Sequence, residues 1–152
     1  MLIRELQDSD RPWLRDLVVR EWGLPVVSIS GTHDPSVLPG FLALDHDQTV
    51  GAVTYRLSDD ECEVVTLNSL HENRGVGSAL LARVRRLADR DRRRTWLITT
   101  NDNINAIRFY QLRGMDLRAL HRDFAEEVRR WKPDLDDRAG GIRFRHALEF
   151  SY

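Results

Sequence analysis

Residues Glu61 to Ser78, ECEVVTLNSLHENRGVGS, decide how this chain folds. Val64, Val65, Thr66 and Leu67 form a short run of β-formers, so the stretch begins as a strand. It ends in the turn Arg74-Gly75-Val76-Gly77-Ser78 and opens directly into ALLARVRRLADR. There Val76, Leu80, Val84 and Leu87 recur at helical spacing with arginines between them. The reading is strand, glycine turn, helix. Glycines let a charged group approach the backbone closely, and the N-terminus of a helix favours an anion. A phosphate or pyrophosphate cradle fits this pattern, and so does a plain tight turn. A P-loop does not, because no Gly-Lys-Ser/Thr follows. The dinucleotide fingerprint needs a third glycine, whereas Ala79 and Leu80 follow here.

The 152 residues are the length of one ordinary domain, and 41% hydrophobic with 31% charged residues is a globular composition. No apolar run approaches the ~20 residues of a membrane span. The opening MLIRELQDSD has no signal-peptide core, and the one cysteine, Cys62, has no internal partner, so a cytoplasmic setting is expected. Cys62 lies in the strand pattern and reads as a buried thiol. The net charge of −1 gives no global field for nucleic acid. Lys132 is the only lysine; Arg83, Arg85, Arg86, Arg90, Arg92, Arg93 and Arg94 cluster, and with Asp89 and Asp91 among them they read as a solvated helix face.

Elsewhere the chain alternates elements. Leu2–Leu6 reads as a strand. Ser9 or Asp10 can cap a helix carrying Trp13, Leu14, Leu17, Val18 and Trp22, which Gly23 and Pro25 end. Gly23 to Gly40 reads as a long loop with at most one helical turn, and the adjacent His33 and Asp34 in it are no metal site. Phe41–Leu44 and Thr49–Tyr55 form a hairpin, followed by the turn Ser58-Asp59-Asp60 and the Glu61 strand. After the Val76–Arg90 helix, Thr95–Thr100 is a strand, implying a right-handed crossover with parallel pairing. Asp102 or Asn103 caps a short helix stopped by Gly114. Met115–Leu120 reads as a strand. Asp123–Trp131 reads as a helix with Phe124, Val128 and Trp131 on one face. Ile142–Phe150 reads as a final half-buried strand, with His146 a satisfied core histidine.

Asn103, Ala106, Tyr110 and Gly114 follow the glycine turn in a second spaced pattern. Together the two resemble the GNAT acetyltransferase superfamily. Its pyrophosphate loop reads Gln/Arg-x-x-Gly-x-Gly/Ala, and its later helix reads Asn-x-x-Ala-x-x-x-Tyr-x-x-x-Gly-Phe. Glu72 stands where the family prefers Gln or Arg, and Met115 replaces the usual aromatic. The resemblance covers Phe41 to Met115 well and the ends loosely. It implies an α/β fold over residues 1–152 as one domain: a mixed central sheet of six to seven strands, about four flanking helices, and a splay between strands 4 and 5. It implies acetyl-CoA as co-substrate, no metal, and transfer of an acetyl group to a primary amine of a small molecule or peptide. It also allows a homodimer. The backbone of Arg74, Gly75, Val76, Gly77 and Ser78 would face the pyrophosphate. Leu67 and Asn68 would pair with the pantetheine, and a backbone N–H near Leu67 would stabilise the oxyanion. Asn103 and Ala106 would lie on the cofactor side, and Tyr110 would point at the sulfur.

Acetyl transfer also needs a base for the acceptor amine. Glu61 and Glu63 share one face of a strand, and either fits that role; both also fit as solvent-facing carboxylates. His121 sits beside a strand end and Trp22 precedes the long loop, so each could line an acceptor pocket. Two other functions fit the same residues: an acyl-CoA-binding module without catalysis, and a nucleic-acid or ribosome-associated protein using the arginines.

Overall fold

The computed structural model describes all residues, Met1–Tyr152. The chain is a mixed α/β protein with a seven-stranded sheet, and its residues gather into two compact units. The first holds Met1–Val26 and His33–Thr95; the second holds Val27–Thr32 and Trp96–Tyr152.

In the first unit, β1 (Leu2–Glu5) leads through a 3-10 turn into α1 (Arg11–Glu21). Pro12 stands in the first turn of α1. Asp10 occupies the N-cap position, but its side chain does not cap α1; it binds Arg4 at 2.7 Å instead, and that hydrogen bond lowers its pKa. Gly23, at φ 71°, ends α1 with its N–H donating to the Val18 carbonyl. The expected loop Gly23 to Gly40 holds more order than the sequence suggests: β2 (Val26–Ser28) and β3 (Gly31–His33) form a two-stranded ribbon, most of it counted with the second unit, followed by a 3-10 turn at Pro35–Val37. The proline and glycine content hid strands only three residues long.

The sheet of this unit is an antiparallel run of β1, β4 (Gly40–Asp45), β5 (Gln48–Leu57) and β6 (Glu61–Ser69). His46 and Asp47, both at positive φ, make the two-residue turn between β4 and β5. Leu14, Leu17 and Val18 of α1 pack with Leu42, Ala52 and Val65 on one face. On the other lies α2 (Val76–Arg90), whose Val76, Leu80, Leu81, Val84 and Ala88 are buried. The arginines after them are engaged: Arg83 lies 4.4 Å over the Phe41 ring, Arg85 pairs with Asp89, and Arg93 with Asp91. This is the solvated face that the sequence suggests. Cys62 is fully buried, and burial pushes its thiol pKa up to about 12, which makes it inert.

The second unit is built on β7 (Arg94–Thr100), from Trp96 onward, with β8 (Asp116–His121) and β9 (Ala147–Ser151). β9 pairs antiparallel with both β7 and β8. α3 (Ile104–Leu112) lies on the Phe150 face, where the Tyr110 and Phe150 ring centroids are 6.1 Å apart. α4 (Phe124–Trp131) buries Phe124, Ala125 and Val128 against Phe144 and Ala147, while Trp131 turns out to solvent, 51% exposed. Ile142 to His146 is irregular, so the last strand begins five residues later than its alternation suggests. Asn101 holds this segment: its Oδ1 accepts from the Arg145 and His146 backbone N–H groups, and its Nδ2 donates to the Arg143 carbonyl. These bonds replace a ladder. No helix is long and apolar enough to cross a membrane.

α2 comes close to β5 at Gly51. A Cβ there would come within 2.6 Å of both the Asn68 carbonyl oxygen and Val76 Cγ1. Gly51→Ala is therefore expected to cost about 1–3 kcal/mol by overpacking. Urea denaturation reads this directly, and an unchanged midpoint would show that α2 is not seated against β5.

Candidate active site

The ladder between β5 and β6 slips once. Thr54 faces Thr66, yet Tyr55 faces Val64, leaving Val65 as the extra residue of a β-bulge on β6. Beyond it the pairing continues as Val53 with Leu67, Ala52 with Asn68 and Gly51 with Ser69. The chain then leaves the sheet. Asn73 and Gly75 take positive φ values of 61° and 75°, and α2 starts at Val76 with its first intrahelical bond from Ala79 N–H to the Gly75 carbonyl, 3.0 Å. Nothing lies within 4 Å of where a Cβ on Gly75 would sit. The left-handed backbone favours glycine there, with open space beside it.

The first turn of α2, Val76-Gly77-Ser78, directs backbone N–H groups out of the helix start, and no acidic residue lies in that turn. Glu72 and Arg74 are both exposed in the loop before it. Gly51 lies between the Asn68 carbonyl and Val76, so the end of β6 and the start of α2 are brought together. A helix start of this kind is one that can hold a phosphate.

Glu61 and Glu63 do share a face of β6, and each carries an arginine. Glu63 is only 3% exposed, with Arg56 Nη1 3.0 Å from its Oε2. Glu61 is bound by Arg94 at 2.6 Å. Along the strand, Glu61 lies roughly 20 Å from Leu67 and Glu63 roughly 13 Å, at about 3.3 Å per residue. The same face carries the buried Thr54–Thr66 hydroxyl pair at 2.6 Å and the bond from Trp22 Nε1 to Asn68 Oδ1 at 2.9 Å. Arg56 carries no motif that marks it in the sequence. Counting out from the Ser58-Asp59-Asp60 turn would have found it, since Arg56 lies directly opposite Glu63. No comparable signal marks the Trp22–Asn68 bond, which spans 46 positions.

In the second unit, Asn103 caps α3 by accepting from the Ala106 N–H at 3.2 Å. Its Oδ1 is used there, leaving the amide N–H groups as donors for a ligand. Ala106 is half-buried one turn in. Tyr110 stacks edge-on to Phe109 with centroids 5.3 Å apart. Burial pushes its phenol pKa up to about 12, so the phenol is a neutral donor at ordinary pH. Two further groups stand out here. His146 Nδ1 accepts from the Asp123 N–H at 2.9 Å, so the histidine is satisfied as the sequence suggests, but it is half-buried just before β9 rather than in the core of the strand. Glu149 is 8% exposed, not solvent-facing as its alternation implies, and His121 Nε2 lies 3.1 Å from it. No group of three or more His, Cys, Asp or Glu side chains is gathered in a way that could hold a metal ion.

A family model described as Acetyltransferase (GNAT) family matches residues 3–115. The Bacillus subtilis (strain 168) protein YdhI, itself uncharacterised, is 37% identical over 155 residues, which cover 99% of this chain and 97% of that protein. Two solved structures share the fold. A GNAT family acetyltransferase from Elizabethkingia anophelis with acetyl-CoA bound has a TM-score of 0.70 at 15% identity, covering 99% of this chain and 95% of that one. The ribosomal-protein-S18-alanine N-acetyltransferase from Escherichia coli has a TM-score of 0.70 at 17% identity, covering 99% of this chain and 91% of that one. With the strand, glycine turn and helix in place and the family model spanning both motifs, the chain belongs to the GNAT family of acetyltransferases.

Proposed function

We propose that residues 1–152 act as one acetyl-CoA-dependent N-acetyltransferase domain that transfers an acetyl group to a primary amine of a small molecule or peptide. The observation that carries this reading is the start of α2, where left-handed Gly75 turns backbone donors outward beside the end of β6. A diphosphate is the natural occupant of such a site. The bound acetyl-CoA of the Elizabethkingia structure supports the choice of co-substrate. The peptide-directed activity in the name of the Escherichia coli structure supports an amine acceptor. The single buried thiol of Cys62 agrees with a cytoplasmic setting.

In this reading the backbone of Arg74, Gly75, Val76, Gly77 and Ser78 holds the pyrophosphate. Leu67 and Asn68 align the pantetheine, and the N–H near Leu67 donates to the developing oxyanion. Asn103 and Ala106 contribute from the start of α3. The amine lone pair forms the C–N bond directly, the C–S bond breaks, and the departing thiolate takes up a proton. Tyr110 is assigned that proton, because its phenol is held neutral. Deprotonation of the amine is assigned to the neighbourhood of Glu63, which lies closer along β6 to Leu67 than Glu61 does. Glu61 is assigned a supporting role, since Arg94 occupies it at the outer end of the strand.

Two measurements test the reading. Gly75→Glu places a carboxylate in open space at the helix start, and it is expected to weaken CoA binding at least ~10-fold while the protein stays folded, at a strain of about 1–2 kcal/mol. Titration calorimetry that finds unchanged CoA affinity in the folded variant would place the cofactor elsewhere. Tyr110→Phe keeps the ring contacts and removes only the donor, so kcat should fall about 10- to 1000-fold with little change in Tm. A lowered Tm with unchanged kcat would make Tyr110 a packing residue.

A further inference from the structure

Trp22 closes α1 at its C-cap position, where its backbone N–H donates to the Val18 carbonyl at 2.9 Å, and it is 40% exposed. From there its indole Nε1–H donates to Asn68 Oδ1 at 2.9 Å. Both residues belong to the first unit. Asn68 pairs with Ala52, and Ala52 packs with Leu14, Leu17 and Val18 of α1. The neighbouring Gly51 faces the other way, toward Val76 and Leu80 of α2. Paired residues of an antiparallel ladder share a face and neighbours in a strand alternate, so the Asn68 side chain leaves the sheet on the side away from α2.

An indole N–H can only donate, so the atom it meets is the carboxamide oxygen, and the Asn68 amide has one orientation. Its NH2 group then holds the remaining donors. Nδ2 makes no hydrogen bond within the chain, and the only buried side-chain polar atoms without a partner are Thr95 Oγ1 and Asp102 Oδ1, so Nδ2 of the half-buried Asn68 is open to solvent. In the acetyl-transfer reading, on which this inference rests, the cofactor takes the start of α2 and the backbone of β6. That leaves the face carrying the Asn68 side chain to the acceptor. The Leu67 N–H receives the oxyanion, and Asn68 stands one residue, about 3.3 Å, further along the strand. We propose that Asn68 Nδ2 donates to an oxygen that the acceptor carries beside its amine, with Trp22 as the positioning residue that fixes the donor. The acceptor class is an α-amino carbonyl compound, an amino-acid amide or a peptide N-terminus, whose carbonyl oxygen stands close to the attacking nitrogen. A polyamine or an arylalkylamine carries no such oxygen and leaves the donors unmatched.

The experiment has two arms. The first measures thiol release from acetyl-CoA with phenylalanine amide and with phenethylamine, which share the amine and the ring and differ in the carboxamide, each rate corrected to the free-base amine. The wild type is expected to favour the amide at least ~10-fold in kcat/KM, mostly through KM. Asn68→Leu keeps the size and removes the donors; Asn68→Asp keeps an oxygen for Trp22 and removes the donors. In both, the preference is expected to disappear while CoA affinity stays within ~3-fold. Trp22→Phe keeps a ring and removes the indole N–H. It is expected to reduce the preference about 3-fold, and that loss should vanish in the Asn68→Leu background, because it acts through Asn68. The same loss in both backgrounds overturns the positioning role of Trp22. The second arm follows the indole N–H resonances of the four tryptophans by NMR, with Trp22 identified by Trp22→Phe. The Trp22 resonance is expected to move in Asn68→Leu and to change far less in Asn68→Asp; a resonance unmoved in Asn68→Leu overturns the bond. Release by the wild type with no preference between the two amines, or a preference that survives in Asn68→Leu, overturns this inference alone. Absence of release by the wild type with both amines, with spermidine and with a peptide amide beginning with a free alanine overturns the acetyl-transfer reading and this inference with it.

Discussion

The seating of α2 on β5 is the contact on which the first unit depends. At Gly51 the strand has no side chain, and the space is filled by Val76 and Leu80 of the helix and by the Asn68 carbonyl of the next strand. A helix start can hold an anion only if it is fixed relative to the strand that aligns the rest of the ligand. Here the fixing is done by close packing, which resists change because a filled interior has no slack. The bulge at Val65 works toward the same end. It shifts the register once, so that Leu67 and Asn68 pair with Val53 and Ala52 one position out of step with the residues before the slip.

Polar groups on the opposite face of β6 are arranged with equal economy. Arg56 meets Glu63 and Thr54 meets Thr66, each closing a hydrogen bond where desolvation would otherwise cost stability, and Trp22 meets Asn68 at a more exposed position. Such a row narrows what each group can do chemically. Glu63 is buried with Arg56 at 3.0 Å, so the two side chains fix each other in place.

The second unit solves a different problem. Its last strand is short, and the segment before it has no ladder partner. Asn101 supplies the missing bonds with a single side chain, using its oxygen twice and its nitrogen once. Phe144 and Ala147 then reach the apolar face of α4, and Phe150 reaches Tyr110 on the other side of the strand. Glu149, facing α4 between the two, is kept in the interior by His121 and, at 3.7 Å, by Arg118. The tyrosine's environment therefore follows from a strand whose position is set by an asparagine some 40 residues earlier.

What could be read from the residues alone was whatever depends on neighbours in the chain. The hairpins, the helix of Val76–Arg90, the glycine turn and the spacing of Asn103, Ala106, Tyr110 and Gly114 are all short-range patterns, and short-range sterics and periodicity decide them. The resemblance to GNAT proteins came from those same patterns. The ribbon within Gly23 to Gly40, the late start of β9 and the exposure of Trp131 went unread, because each is settled by which distant surface a segment meets. The same holds for the site. The glycine turn at the start of α2 was legible in one line of sequence, whereas Arg56 against Glu63 and Trp22 against Asn68 required segments from separate parts of the chain to lie side by side. Local sequence determined which elements form. Only tertiary packing decided which charges lose their water and must find one another, since desolvation exists only once the interior has closed.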